Sequence, residues 1–517
     1  MDAIELTLFV SRIQAICDEM GAVLMRTALS PNIKDRLDFS CAVFDADGEL
    51  CAQAAHIPVH LGSMAYAMSD IVHRIDWRDG DMLILNDPYL GGTHLPDVTL
   101  IAPLFHNRKL CAFVANRAHH ADIGAESPGS MPLARRLEEE GLVIPPTHLR
   151  RAGRPCEQTF AAILDRMHDP LTARADFSAQ SSALLSGLKR LDALVNRMGR
   201  RGFLTGLAAL NDYAETLAQA GLGAIPAGQY RYTDVMDDDG LGNRDITITA
   251  TVRVQAGRIE VDFSGTSPQV PGNINCPLSV AAAAVYYCFY CLMPAGTPPC
   301  AGSFRPITLE APEGSLLNAR YPAAVAAGNV ETSTRIVDVL LGALAGALPG
   351  RIPAASHGSM NNIAMGAAGW DYYETLGGGM GAGPAGGGLD AVQTHMTNTR
   401  NTPIEVLEKY YPLRIRRYAI RRRSGGRGKR PGGDGLIREF EFLAPAHVTL
   451  LTERRRHAPW GLAGGGNGQT ARNLLNNRPV SGKTAFTAKQ GDRLTIMTAG
   501  SGGWGSTAGD PEATRMK

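Results

Sequence analysis

Asn86-Asp-Pro-Tyr-Leu-Gly-Gly-Thr-His94-Leu-Pro-Asp97 and Asn116-Arg-Ala-His119-His120-Ala-Asp122 flank a stretch that reads as one β-hairpin. Residues 98–105 (VTLIAPLF) and 110–115 (LCAFVA) are apolar runs rich in strand formers, and His106-Asn-Arg-Lys109 is a short polar turn between them. A hairpin brings its open ends together, so the two His/Asp clusters become neighbours in space. With Phe105 opposite Leu110, regular pairing places Asp97 opposite Ala118, beside His119. His94 stands just before Asp97, in a Gly-rich loop able to fold over the same point. Neutral imidazole and carboxylate together suit Zn, Mn or Fe(II), and His94, Asp97 and His119 would leave positions open for water and substrate. His120 and Asp122 are candidate catalytic residues that orient ligands through hydrogen bonds or shuttle protons.

A second hairpin reads from residues 39–44 and 49–54 around the turn Asp45-Ala-Asp-Gly48. Asp38 lies at its open end with His56 on the opposite side, which makes Asp38 a candidate fourth ligand. Spacing alone leaves open whether the two hairpins meet. His56 and His60 read as structural.

Length and composition set the frame. A chain of 517 residues predicts several domains, and 44% hydrophobic content allows sizeable cores. A net charge of +1 and 6% aromatics argue against nucleic-acid binding. The nine cysteines are scattered and odd in number, as in a reduced, cytoplasmic protein. Cys288-Phe-Tyr-Cys291 stands alone in an apolar run and reads as a buried helix face. The N-terminal residues show no basic region or cleavage site of a secretory signal, and the longest apolar run, 278–293, is short for a membrane span.

The pattern along the chain predicts an α+β, multidomain mixed fold with the metal site built on hairpins. A helix opens the chain over 2–29, with Asp2 and Glu5 as a capping pair. A largely helical segment covers 155–222, strands follow over 230–239 and 246–263, and a helix covers 330–348. From about residue 367 the chain is Gly-rich and mostly β. Expected units are a metal-binding region with a helical insertion (1–226), a mixed α/β region (227–366) and a Gly-rich β region (367–517).

Nucleotide motifs fail. Gly482-Lys483-Thr484 ends like a phosphate loop, but Asn477 stands where its first glycine is required. Gly381-Ala-Gly383-Pro-Ala-Gly386 fits GxGxxG only formally, since it carries a proline and no clear helix follows. The basic stretch 414–430 reads as an exposed edge strand and turn.

NDPYLGGTHLPDVTLIAPLF (86–105) and FVANRAHHADIGAESPGSMP (113–132) resemble the hydantoinase B/oxoprolinase family. So do RLDFSCAVFDADGELCAQAAHIPVHLGSM (36–64), DFSGTSPQVPGNINCP (262–277), GNVETSTRIVDVLLGALAGALP (328–349), HGSMNNI (357–363) and HMTNTRNTPIEVLE (395–408). The resemblance implies a Zn or Mn ion on Asp38, His94, Asp97 and His119. It implies a hetero-oligomer with an A subunit of actin-like fold that binds ATP, which accounts for the missing phosphate loop. The implied activity is opening of a hydantoin, 5-oxoproline or lactam ring: the A subunit phosphorylates the amide oxygen and water made acidic by the metal attacks the activated carbon. Two alternatives stay open, a subunit of a ketone carboxylase of the acetone or acetophenone type and a non-catalytic scaffold for the ATPase subunit.

Overall fold

The computed structural model describes residues 1–55 and 57–507. The expectation for His56 therefore lies outside the described residues. The elements that build the site are, in chain order, α1 (Ala3–Thr27), β1 (Phe39–Asp45), β2 (Leu50–Ala55), α2 (Pro58–Arg74), β3 (Met82–Leu85), β4 (Asp97–His106), β5 (Lys109–His119), β6 (Thr147–Arg151), β7 (Arg154–Pro155), α3 (Pro170–Leu222), α4 (Leu278–Tyr290) and α5 (Ser333–Ala347). The architecture is α+β, as the sequence predicts.

Strands β1 to β7 form one sheet in the order β2-β1-β5-β4-β3-β6-β7. Both predicted hairpins are present, and β1 pairs antiparallel with β5, with Phe39 opposite Ala118. The hairpins therefore lie side by side and their open ends coincide. One face of the sheet packs on α1 and α3 through Val43, Val98, Leu100 and Val114. The other packs against α2 through Phe44, Leu85, Ile101 and Phe113. Burial on both faces explains why 98–105 is a continuous apolar run rather than an alternating one.

The register differs from the regular pairing by one residue. Phe105 does face Leu110, but Leu104 faces Ala112, so Cys111 is an extra residue on β5. This bulge carries the rest of β5 forward by one position and sets Asp97 opposite His119 rather than Ala118.

Asp2 and Glu5 cap α1 reciprocally, at 3.0 and 2.8 Å. The helical segment expected over 155–222 is Glu157–Leu164 followed by α3, which is interrupted at Gly199, where φ is 73°. A second sheet holds Gly228–Asp238, Arg244–Gln255, Arg258–Asp262 and Ile307–Glu310, and its core includes α4 and α5. Cys288 is buried in α4, Cys291 is exposed at its end, and neither forms a disulfide. No helix among the described residues is long and apolar enough to cross a membrane.

The C-terminal part adds two further sheets, one of which begins with the edge strand Leu413–Arg421. Two arginines of the basic stretch are paired: Arg416 meets Glu441 at 2.6 Å and Arg422 meets Asp390 at 3.0 Å. Gly383 and Gly386 bridge to each other, and no helix opens after them.

The helix expected from residue 330 starts at Ser333 and is preceded by a π-turn, Gly328–Thr332. A side chain on Gly328 would put its Cβ 1.8 Å from the Asn275 carbonyl oxygen. That backbone contact, which only glycine permits, fixes how the chain enters the turn.

Candidate metal centre

Asp97 is the hub of the site, and its two oxygens have different surroundings. Oδ2 receives donors: the Thr93 hydroxyl at 2.6 Å and the Asn329 amide Nδ2 at 3.3 Å, with His60 Nε2 at 3.3 Å. Oδ1 faces His94 Nε2 at 3.2 Å and His119 Nδ1 at 3.3 Å. His94, Asp97 and His119 are buried and can each offer one ligand atom to a common point.

The tautomer of His94 is fixed from outside. Its Nδ1 lies 3.3 Å from the Ala326 carbonyl, which only accepts, so Nδ1 carries the proton. In the neutral ring that a metal requires, Nε2 is a bare lone pair facing a carboxylate oxygen at 3.2 Å, buried and without hydrogen-bond geometry; without an ion, the Asp97 charge favours a proton there instead. Two acceptors at that distance repel unless a cation stands between them. Donors sharing one ion at about 2.1 Å lie about 3.0–3.4 Å apart, which matches these separations. His119 Nε2 and Asn329 Oδ1 are also buried without a partner. The residues present thus fit a divalent metal.

Local sequence explains the placement. The Gly91-Gly92 loop folds tightly over Asn86, because a Cβ on Gly92 would lie 2.3 Å from the Asn86 carbonyl oxygen. Asn86 pins the loop by donating to the Leu95 carbonyl at 2.8 Å and accepting from the Ile144 N–H at 2.6 Å. His119 closes β5, and its N–H donates to the Asp38 carbonyl at 3.0 Å. Its ring stacks on Tyr373, centroids 4.6 Å apart, and the Arg36 guanidinium lies 5.0 Å from the centre of the same Tyr373 ring.

Asp38 is buried beside His119, but its carboxylate does not join the compact group of His94, Asp97 and His119. It lies 3.9 Å from Arg36. His120 and Asp122 point elsewhere. His120 lies one residue past the end of β5. It stacks on Phe177 at 4.5 Å and meets Gln180 at 3.0 Å. Asp122 gathers with His168 and Asp371 in a second group. His120, Asp122 and Tyr373 line an adjoining cavity of about 930 Å³.

Three neighbours of Asp97, namely Thr93, His60 and Asn329, were not among the candidate site residues. His60 was read as structural, yet it lies in the first turn of α2, just after β2, so it shares the hairpin's open end with Asp38. The hairpin argument applied to that strand could have found it. Asn329 lies far along the chain, and no local signal ties it to Asp97.

The electrostatics follow the geometry. Burial opposes ionising Asp97, but the imidazoles of His94 and His60 outweigh it and hold the carboxyl well below its ordinary range. Burial works against charge on His94 too, yet the Asp97 charge raises its pKa. Burial dominates at His119 and lowers it. Glu140, held by the N–H groups of Val325 and Ala326, is pushed up to about 7 by burial.

The hydantoinase B/oxoprolinase family model matches residues 2–507. The chain belongs to that family. It is 39% identical over 516 residues to an uncharacterized protein of Methanocaldococcus jannaschii, covering 98% of this chain and 91% of that one. It is 38% identical to 5-oxoprolinase 1 of Arabidopsis thaliana, covering 98% of this chain but only 42% of the plant protein. The chain thus spans about two fifths of that enzyme's length. The crystal structure of an ATP-dependent caprolactamase from Pseudomonas jessenii superposes with a TM-score of 0.90 at 29% identity, covering 98% of this chain and 91% of the other.

Proposed function

We infer that this family member is the metal-bearing B subunit of an ATP-dependent cyclic amidohydrolase, acting with an actin-fold ATPase A subunit on a hydantoin, 5-oxoproline or lactam ring. The observation that carries the reading is the His94 lone pair facing Asp97 Oδ1 at 3.2 Å, with His119 on the same oxygen at 3.3 Å. The likeness to proteins named 5-oxoprolinase and caprolactamase supports the substrate class.

His94, Asp97 and His119 would hold one divalent ion, Zn or Mn, with Asp38 at the edge of the set. The ion would supply Lewis acidity and make water acidic enough to attack an activated amide carbon near neutral pH. The chain's own residues prepare the site. The Ala326 carbonyl fixes the His94 tautomer. Thr93, His60 and Asn329 hold Oδ2 and leave Oδ1 to the imidazoles. Tyr373 fixes the plane of the His119 ring. His120 and Asp122 contribute to the cavity wall, where they can hold or move a proton on the substrate side.

The first experiment is metal analysis of the purified chain beside a His94→Ala/His119→Ala double variant. Near one equivalent of Zn or Mn in the wild type, lost in the variant, is expected. Ring opening should then require the A subunit, ATP and the intact ligand set. No metal in either protein after incubation with Zn and Mn would overturn the reading in favour of a scaffold. Turnover that depends on bicarbonate would move it to a carboxylase.

A further inference from the structure

A run of three glutamates, Glu138-Glu-Glu140, ends with one withdrawn from water. Glu138 and Glu139 are exposed, while Glu140 is fully buried. Burying a carboxylate is costly unless hydrogen bonds compensate. Here they come from the backbone: Oε1 accepts from the Ala326 N–H at 2.8 Å and Oε2 from the Val325 N–H at 3.1 Å. The Asn273 side chain bonds to the same carboxylate.

The segment that Glu140 grips serves the metal centre twice. The chain turns helical at Ala326, and the N–H groups that open a helical run have no partner within it. The Ala326 carbonyl lies against His94 Nδ1 at 3.3 Å. The Val325 carbonyl accepts from the Gly328 N–H at 3.0 Å, where the π-turn begins that carries Asn329 to Asp97 Oδ2. The Val325 carbonyl and the Ala326 N–H are the two ends of one peptide group. A negative charge at the N–H end polarises that group and strengthens the bond its carbonyl accepts. The two carbonyls just before are held from other elements: the Tyr89 hydroxyl donates to Ala323 at 2.7 Å and Asn275 Nδ2 to Ala324 at 3.1 Å. The N–H side of the bend belongs to Glu140.

We propose that Glu140 is a positioning residue of the metal centre: by gripping the N–H groups of Val325 and Ala326 it aims the Ala326 carbonyl at His94 and sets the turn that brings Asn329 to Asp97. It acts through the backbone and not on the ion. One carboxylate thus governs the outer contacts of His94 and Asp97, while His119, whose ring rests on Tyr373, is held independently. The proposal rests on the reading of His94, Asp97 and His119 as ligands.

The test uses the full chain loaded with cobalt(II) at pH 8, above the value of about 7 to which burial pushes Glu140. Cobalt shifts the ring N–H protons of its histidines far from all others, so their exchange with solvent can be timed one by one. In His94 that proton sits on Nδ1, against Ala326, and in His119 on Nε2. An Overhauser contact to the Cδ2 proton marks His119, because the Nδ1 proton of His94 has no such neighbour. Glu140→Gln should speed exchange at His94 about tenfold, leave His119 within about twofold, and weaken cobalt binding about 10–100-fold in competition with a chromogenic chelator. Glu140→Asp keeps the charge but falls one methylene short of the N–H groups. It should show the same selective change to a smaller degree, and it decides the matter if Glu140→Gln does not fold. Wild-type exchange and affinity in the folded variants, or equal acceleration at both histidines, overturns the proposal and leaves Glu140 a helix cap. A wild-type chain that takes up no cobalt overturns it together with the metal-centre reading, whereas unchanged variants of a chain that binds cobalt leave that reading standing.

Discussion

Glu331→Gln should stabilise the protein at pH 8 and do so far less at pH 5. Glu331 is fully buried in the π-turn, where Oε1 accepts from the Met360 N–H at 2.9 Å and from Asn362 Nδ2 at 2.7 Å, while Oε2 has no partner. Burial, reinforced by the charge of Glu453, raises its pKa from 4.5 to about 7. The folded protein therefore holds a proton that the unfolded chain releases between those values. Stability falls as pH rises through this window, and the penalty is complete above pH 7. At about 1.4 kcal/mol per pKa unit the shift amounts to about 3 kcal/mol. Glutamine keeps Oε1 for both donors and cannot ionise. For a chain of 517 residues, about 3 kcal/mol corresponds to about 3 °C in melting temperature. The assay is the difference in melting temperature between variant and wild type, read every half pH unit from 5 to 8. A difference that does not grow with pH, or a variant less stable at pH 8, would refute the reasoning.

Asn329→Ala should weaken metal binding about 10–100-fold without abolishing it, because it removes a donor to Asp97 and no ligand; competition with a chromogenic chelator measures this. Tyr373→Phe should leave the metal content at wild-type level, since the ring still stacks on His119. It should lower stability by about 1–2 kcal/mol, because the Tyr373 hydroxyl donates to Asn362 Oδ1 at 2.7 Å and that buried acceptor would lose its partner.

The sequence carried the ligand cluster and hid its surroundings. Apolar runs and polar turns are local signals, so both hairpins and the convergence of His94, Asp97 and His119 were legible. The bulge at Cys111 was not, because a bulge depends on neighbouring strands and not on the residue that forms it. Whether the hairpins meet is a matter of β1 pairing with β5, a contact between segments about 80 residues apart that no local pattern announces. The same holds for Asn329, whose amide reaches Asp97 across 232 positions. His120 and Asp122 were read as residues that orient the ligands because they follow His119 in sequence, whereas His120 packs on Phe177 and Gln180 just past the end of the strand. The GNVETST stretch read as a helix start, since a π-turn and a helix share composition and the Gly328 contact with Asn275 that separates them lies outside the segment.

The long reach of Asn329 has a bearing on biosynthesis. The ribosome releases His94, Asp97 and His119 well before Asn329, and 232 residues separate Asp97 from the side chain that orients it. At about 5–20 residues per second that gap lasts about 10–50 s. Through this interval a nascent chain can display the imidazoles and the carboxylate while the amide that donates to Asp97 is still unmade. Faithful loading of the centre is therefore expected to follow chain completion, and pulse-labelled nascent chains should release an early-bound ion to chelator far faster than the finished protein does.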